Sequence, residues 1–191
     1  MASFLDFIDR PHAQSRRTFL GNGLVLTGAA VALLAGKEAL AKTGGKATED
    51  DVRILNGALG AELEAIAAYQ VGAESGLLQK PVLDLAVTFQ GHHREHADVL
   101  AKTISRLGGR PVDPRARYVF PVERLKSQAD VLQFAASLER GAVSAYLGAV
   151  PAFADRDLSR AAASILGDEA MHWAVLRQAL GEAPVPTAFV S

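Results

Sequence analysis

The chain contains no cysteine. Disulfides, thiolate metal ligands, iron–sulfur clusters and a four-thiolate iron site are therefore all excluded. Any metal it holds must be bound by Glu, Asp and His. Aromatic residues make up only 6% of the chain. Charge of either sign is also not in excess: the formal net charge is −1, and no basic patch stands out on the bulk of the chain, so nothing points to a nucleic-acid partner. What is abundant is apolar residue, 49% of the total and rich in Ala and Leu, which favours helix.

Only one long stretch lacks charge altogether, Phe19 to Gly36. It follows adjacent arginines in Ser15-Arg16-Arg17-Thr18-Phe19-Leu20, and Ala39-Leu40-Ala41 follows it with small residues at signal-peptidase spacing. Residues 1–41 resemble a twin-arginine export signal, although the basic residue often found after the Phe-Leu pair is absent. The resemblance implies export in the folded state to the periplasm. If the segment is retained, it implies a membrane tether.

Residues 42–47 are expected to be a linker and residues 48–181 a bundle of four helices, followed by an irregular tail over 182–191. Thr48 with the acids behind it is expected to start the first helix, reaching about Gly72. Pro81 opens a second, stopped by Gly108-Gly109. Three prolines and no period between Arg110 and Lys126 make a long connection. Ser127 or Asp130 caps a third helix to about Phe153, with Pro151 disturbing its last turn. Asp157 or Ser159 starts a fourth, ending at Gly181. The expected fold is all-α, a bundle with a long crossover between helices 2 and 3.

One pattern occurs twice. Glu62 is followed by Tyr69, then by His93-x-x-His96, and Glu139 by Tyr146, then by Glu169-x-x-His172. Stepping by four and three residues, the helical stripes read Leu55, Leu59, Glu62, Ile66, Tyr69; Ala86, Phe89, His93, His96, Leu100; Leu132, Ala136, Glu139, Val143, Tyr146; and Ala162, Ile165, Glu169, His172, Leu176. Each is apolar around a polar middle, so the four interruptions meet at one level of the core. Ionised carboxylates there are costly unless paired or bound to a cation. Glu62, His93, His96, Glu139, Glu169 and His172 are thus candidate metal ligands. Tyr69 and Tyr146 are read either as core packing or as residues orienting ligands or supplying an electron. His92, Glu64 and Glu95 lie off the stripes and are expected to be solvated.

At these residues the chain resembles the ferritin-like superfamily, specifically exported ferritin-like domain proteins related to rubrerythrins and ferritins. The pattern is one Glu from each of two helices and Glu-x-x-His from each of the others. Leu107 to Val112 also looks like the end of the second helix in such proteins. The departure is His93, where the family has Glu. It leaves three carboxylates to balance two divalent ions, and moves the donor set toward Fe, Zn, Mn or Cu. The resemblance implies iron, two ions in number, with Mn or Zn open. It also implies oxygen- or peroxide-dependent redox chemistry or ferrous-ion oxidation, of the ferroxidase or peroxidase type, and a homo-oligomer is compatible with it. The alternative is a non-catalytic, membrane-tethered or stress-protection module keeping a structural or relic site. A storage cage is the least favoured reading.

Overall fold

The structure, a computed structural model, describes residues 45–190. The expected export signal, residues 1–41, and the first half of the expected linker, residues 42–44, lie outside them. Among the described residues there are four long helices, α1 (Lys46–Glu74), α2 (Lys80–Arg106), α3 (Gln128–Ala149) and α4 (Arg156–Ala179), and no strand. No described helix is long and apolar enough to cross a membrane.

The helix ends show where local chemistry wins. α1 starts at Lys46, with Gly45 rather than Thr48 in the cap position. The helix therefore takes two residues expected as linker. α2 has Pro81 in its first turn, where no intrahelical N–H is needed. It ends with Gly108 at φ 79°: Gly108 N–H donates to Ser105 at 3.1 Å and Gly109 N–H to Ile104 at 2.9 Å, which satisfies the last carbonyls. Ser127, not Asp130, caps α3 by accepting from Asp130 N–H. α3 stops at Ala149 and tightens into a 3-10 turn, Val150–Ala152, because Pro151 cannot continue the helix. Asp155, not Asp157 or Ser159, caps α4 and accepts from Asp157 N–H and Leu158 N–H.

The apolar clusters define the topology. Leu55 and Leu59 from the start of α1 pack with Leu100 and Ile104 from the end of α2 and Leu158 from the start of α4. At the opposite end Tyr69, Phe89, Leu132 and Leu176 pack together. α1 and α4 therefore run one way, and α2 and α3 the other. The connection from α2 to α3 must travel the length of the bundle, which is why it is long. Asn56 pins its start: the side-chain amide donates to Arg110 O at 3.1 Å and its oxygen accepts from Val112 N–H at 2.8 Å. Asp51, buried in α1, ties down a different connection, the turn between α3 and α4, by accepting from Ala154 N–H at 2.8 Å and Asp155 N–H at 3.1 Å.

Candidate metal centre

Between the two apolar layers lies one polar layer. Glu62, His93, Glu139, Glu169 and His172 are each at most 2% exposed, and His96 is half-buried. All six came from the middles of the four stripes, and the structure brings all six together. His93, His96, Glu62 and Glu169 place ligand atoms within 4.8 Å of one another, and so do His93, Glu139, Glu169 and His172. His93 and Glu169 belong to both groups.

His93 is a strut between the lone glutamates. It donates from Nδ1 to Glu62 at 2.8 Å and from Nε2 to Glu139 at 3.3 Å. Both nitrogens donating makes it an imidazolium. Burial would lower its pKa, but the contacts with Glu139 and Glu62 override this and push it up to about 10. His96 and His172 behave alike: carboxylate partners outweigh burial and raise them to about 9 and about 11. Burial would raise Glu62, but His93 and His96 hold it at about 2. Glu139 is likewise held low despite burial, chiefly by His172 and His93. Glu169 goes the other way, because its burial is not offset by the imidazoles beside it.

The tyrosines cross the bundle. Tyr69 of α1 donates to Glu139 of α3, and Tyr146 of α3 donates to Glu62 of α1 at 2.6 Å. Burial, then the carboxylate charge, raises both hydroxyls well above the usual range. Their protons therefore stay on oxygen.

The layer is nevertheless incompletely satisfied. His96 Nδ1, Glu139 Oε2, both oxygens of Glu169 and His172 Nδ1 are buried and make no hydrogen bond. The imidazole nitrogens face the Glu169 oxygens, His96 Nδ1 at 3.1 Å from Oε1 and His172 Nδ1 at 3.5 Å from Oε2, and His172 Nδ1 is also 3.6 Å from Glu139 Oε1. Every described buried side-chain nitrogen or oxygen without a hydrogen bond is in this layer. Buried polar atoms are rarely left so, and converging carboxylate oxygens and imidazole nitrogens are the donors a transition metal takes. The residues present fit a metal.

Two residues escaped the stripe reading. Asp168 Oδ2 lies 3.2 Å from His172 Nε2 and 3.4 Å from His96 Nε2, behind both outer imidazoles. It adds a carboxylate behind the imidazoles, outside the two groups of ligand atoms that share His93 and Glu169. Burial would raise its pKa, but His172 and His92 hold it well below the usual carboxylate range. His92, expected to be solvated, is half-exposed and also sits 2.9 Å from His172 Nε2. Each immediately precedes a stripe residue, and the i, i+4 spacing of Asp168 and His172 was the available signal. Glu95 is exposed as expected. Glu64 is half-buried, 3.8 Å from Arg115.

The layer also has an opening. A cleft of about 430 Å³ between α1 and α3 reaches Glu62, His93, Glu139 and Tyr146. Small residues along it, Gly57, Ala61, Ala65, Gly141 and Ala145, leave the gap.

The ferritin-like domain family matches residues 50–182. Among solved structures, the chain is similar to a conserved hypothetical protein from Mycobacterium tuberculosis, with 24% identity and a TM-score of 0.65 over 75% of this chain and 99% of that one. It is similar to ferritin-like, diiron-carboxylate proteins from Bacillus anthracis str. Ames, with 20% identity and a TM-score of 0.61 over 72% and 99%. It is also similar to a dodecameric thioferritin, the bacterioferritin-related protein of Bacteroides fragilis, with 26% identity and a TM-score of 0.62 over 81% and 93%. No curated protein matches.

Proposed function

This chain belongs to the ferritin-like domain family, and on that premise we propose that its polar layer is a dinuclear transition-metal centre, with iron the favoured ion. The five buried atoms without hydrogen bonds carry the reading. Glu62 and His96 would hold one ion and Glu139 and His172 the other. Glu169, present in both ligand groups, would be shared. Three imidazoles beside the carboxylates favour iron, zinc or manganese over magnesium and calcium.

When bound, a redox-active metal pair would supply electrons for the reduction of oxygen or peroxide, and oxidation of ferrous ions would fall within the same chemistry. The residues of the chain do the rest. Tyr69 and Tyr146 orient Glu139 and Glu62 and keep their own protons. The apolar layers on either side exclude bulk water. The cleft between α1 and α3 admits a small oxidant to Glu62 and Glu139. Export, from the N-terminal pattern, and assembly of several copies, from the likeness to the dodecameric relative, complete the proposal.

A second reading, a non-catalytic module with a structural or relic site, is favoured by one observation. His93 ties Glu62 to Glu139 through its own two ring nitrogens. Elemental analysis of natively loaded protein separates the two. The first reading expects near-stoichiometric metal that is lost in Glu169→Ala/His172→Ala. Metal-free protein with no oxygen or peroxide turnover supports the second.

A further inference from the structure

His92 and Asp168 each sit one position before a residue of the polar layer. A step of one residue turns a side chain about 100° around the helix, so both leave the seam and meet outside it, where they flank the outer nitrogen of His172. His92 Nδ1 is 2.9 Å from His172 Nε2 and 3.3 Å from Asp168 Oδ2, and His172 Nε2 is 3.2 Å from Asp168 Oδ2. Three donors each about 2.1 Å from one ion, at angles of roughly 90–105°, are separated by these same distances. The triangle is graded in exposure: the side chains of His92, Asp168 and His172 are 39%, 24% and 2% exposed. One corner thus faces solvent and one faces the core. The His172 ring stacks on Phe89 at 4.0 Å and lies 5.1 Å from His92, the three rings forming one cluster.

We propose that His92 Nδ1, Asp168 Oδ2 and His172 Nε2 form an outer site for a divalent transition metal, from which an ion passes to the core. Two imidazoles and a carboxylate suit Fe(II), Co(II) or Zn(II) rather than Mg(II) or Ca(II). His172 gives the site its transit character. Its Nδ1 faces Glu139 and Glu169, while its Nε2 faces the outer pair. A neutral imidazole has one lone pair, so His172 serves the outer ion or the inner one, not both. With the proton on Nδ1, the ring binds outside and donates inward to the glutamates. With the proton on Nε2, it binds inside and donates to Asp168. The binding claim stands without the core centre; only the delivery role rests on it.

Co(II) uptake by the full-length chain, counted by equilibrium dialysis and timed by visible absorption, tests this. His92→Ala, at a half-exposed position, should leave the final count in the core unchanged and slow its loading at least tenfold. In Glu62→Gln/Glu139→Gln, one Co(II) should remain, and adding His92→Ala should weaken it on the order of tenfold to a hundredfold. If that double variant does not fold, Co-edge anomalous scattering from crystals of Glu62→Gln, with the core weakened at one position only, should place a peak within bonding distance of His92. A single wild-type ion that is sensitive to His92→Ala but not to Glu62→Gln would remove the core centre and keep the outer site. Unchanged count, affinity and loading rate in His92→Ala, or no anomalous peak at His92, would leave only a hydrogen-bonded trio and overturn the proposal.

Discussion

His93→Glu restores the residue that the family pattern has at this position, and its effect should reverse sign with metal. The side chain is 1% exposed and donates to Glu62 at 2.8 Å and to Glu139 at 3.3 Å. Replacing an imidazolium by a carboxylate changes the charge of the layer by two and leaves Glu62 and Glu139 facing a like charge. Removing one partner of a buried pair costs about 3–5 kcal/mol. At roughly 2–4 °C per kcal/mol for a chain of this size, the metal-free Tm should fall by about 10 °C. With Co(II) or Fe(II) added anaerobically, the same variant has four glutamates around the ions. It should bind the second equivalent at least tenfold more tightly than wild type and recover more Tm on loading. His93→Gln is the control, expected to lose metal-free stability without gaining affinity. Calorimetric melting and metal titration provide the assay. An unchanged metal-free Tm together with an unchanged second affinity would refute both the strut and its place beside the metals.

Metal-free protein should be most stable between about pH 4.5 and 6.5. Glu62, depressed to about 2, contributes stability that is present above the ordinary Glu range and lost as pH falls toward 2. His93, His96 and His172, raised to about 10, 9 and 11, contribute stability that is full below about 6.5 and lost as pH rises through 9–11; the raised Glu169 acts in the same sense from lower pH, its contribution full only below the ordinary Glu range. Denaturant melts of chelated protein from pH 3 to 11 check this, and a stability maximum above pH 9 would contradict it. Tyr146→Phe removes a buried hydrogen bond to the Glu62 carboxylate and should cost about 1.5–3 kcal/mol in urea unfolding of metal-free protein. Asp51→Ala leaves Ala154 N–H and Asp155 N–H without their acceptor. It should cost about 2–3 kcal/mol by the same measurement, with metal stoichiometry unchanged.

The bundle and its polar layer were legible because both rest on periodicity. Glu62, His93, His96, Glu139, Glu169 and His172 fall on four stripes whose remaining members are apolar, so burial followed from the 3.6-residue repeat. The crossover was legible from three prolines and a missing period. Helix starts were less so: Gly45 and Asp155 act as caps where Thr48 and Asp157 had equal local claims, since cap choice depends on how the chain enters the helix. Asp51 read as a first-turn acid. Its role as acceptor for the turn before α4, 103 residues away for Ala154, has no local signature. His92 and Asp168 were missed for a related reason. A stripe describes what faces the centre, whereas these residues line its edge, where two helices meet only in the folded bundle.

The central claim is that the polar layer holds metal, and anomalous scattering at metal absorption edges, from crystals of natively loaded full-length protein, tests it most directly. The account predicts two peaks in the layer, both within bonding distance of Glu169, one beside Glu62 and His96 and the other beside Glu139 and His172. A layer without anomalous density at any transition-metal edge, in protein that is folded and saturated with Fe(II) or Co(II), would contradict it.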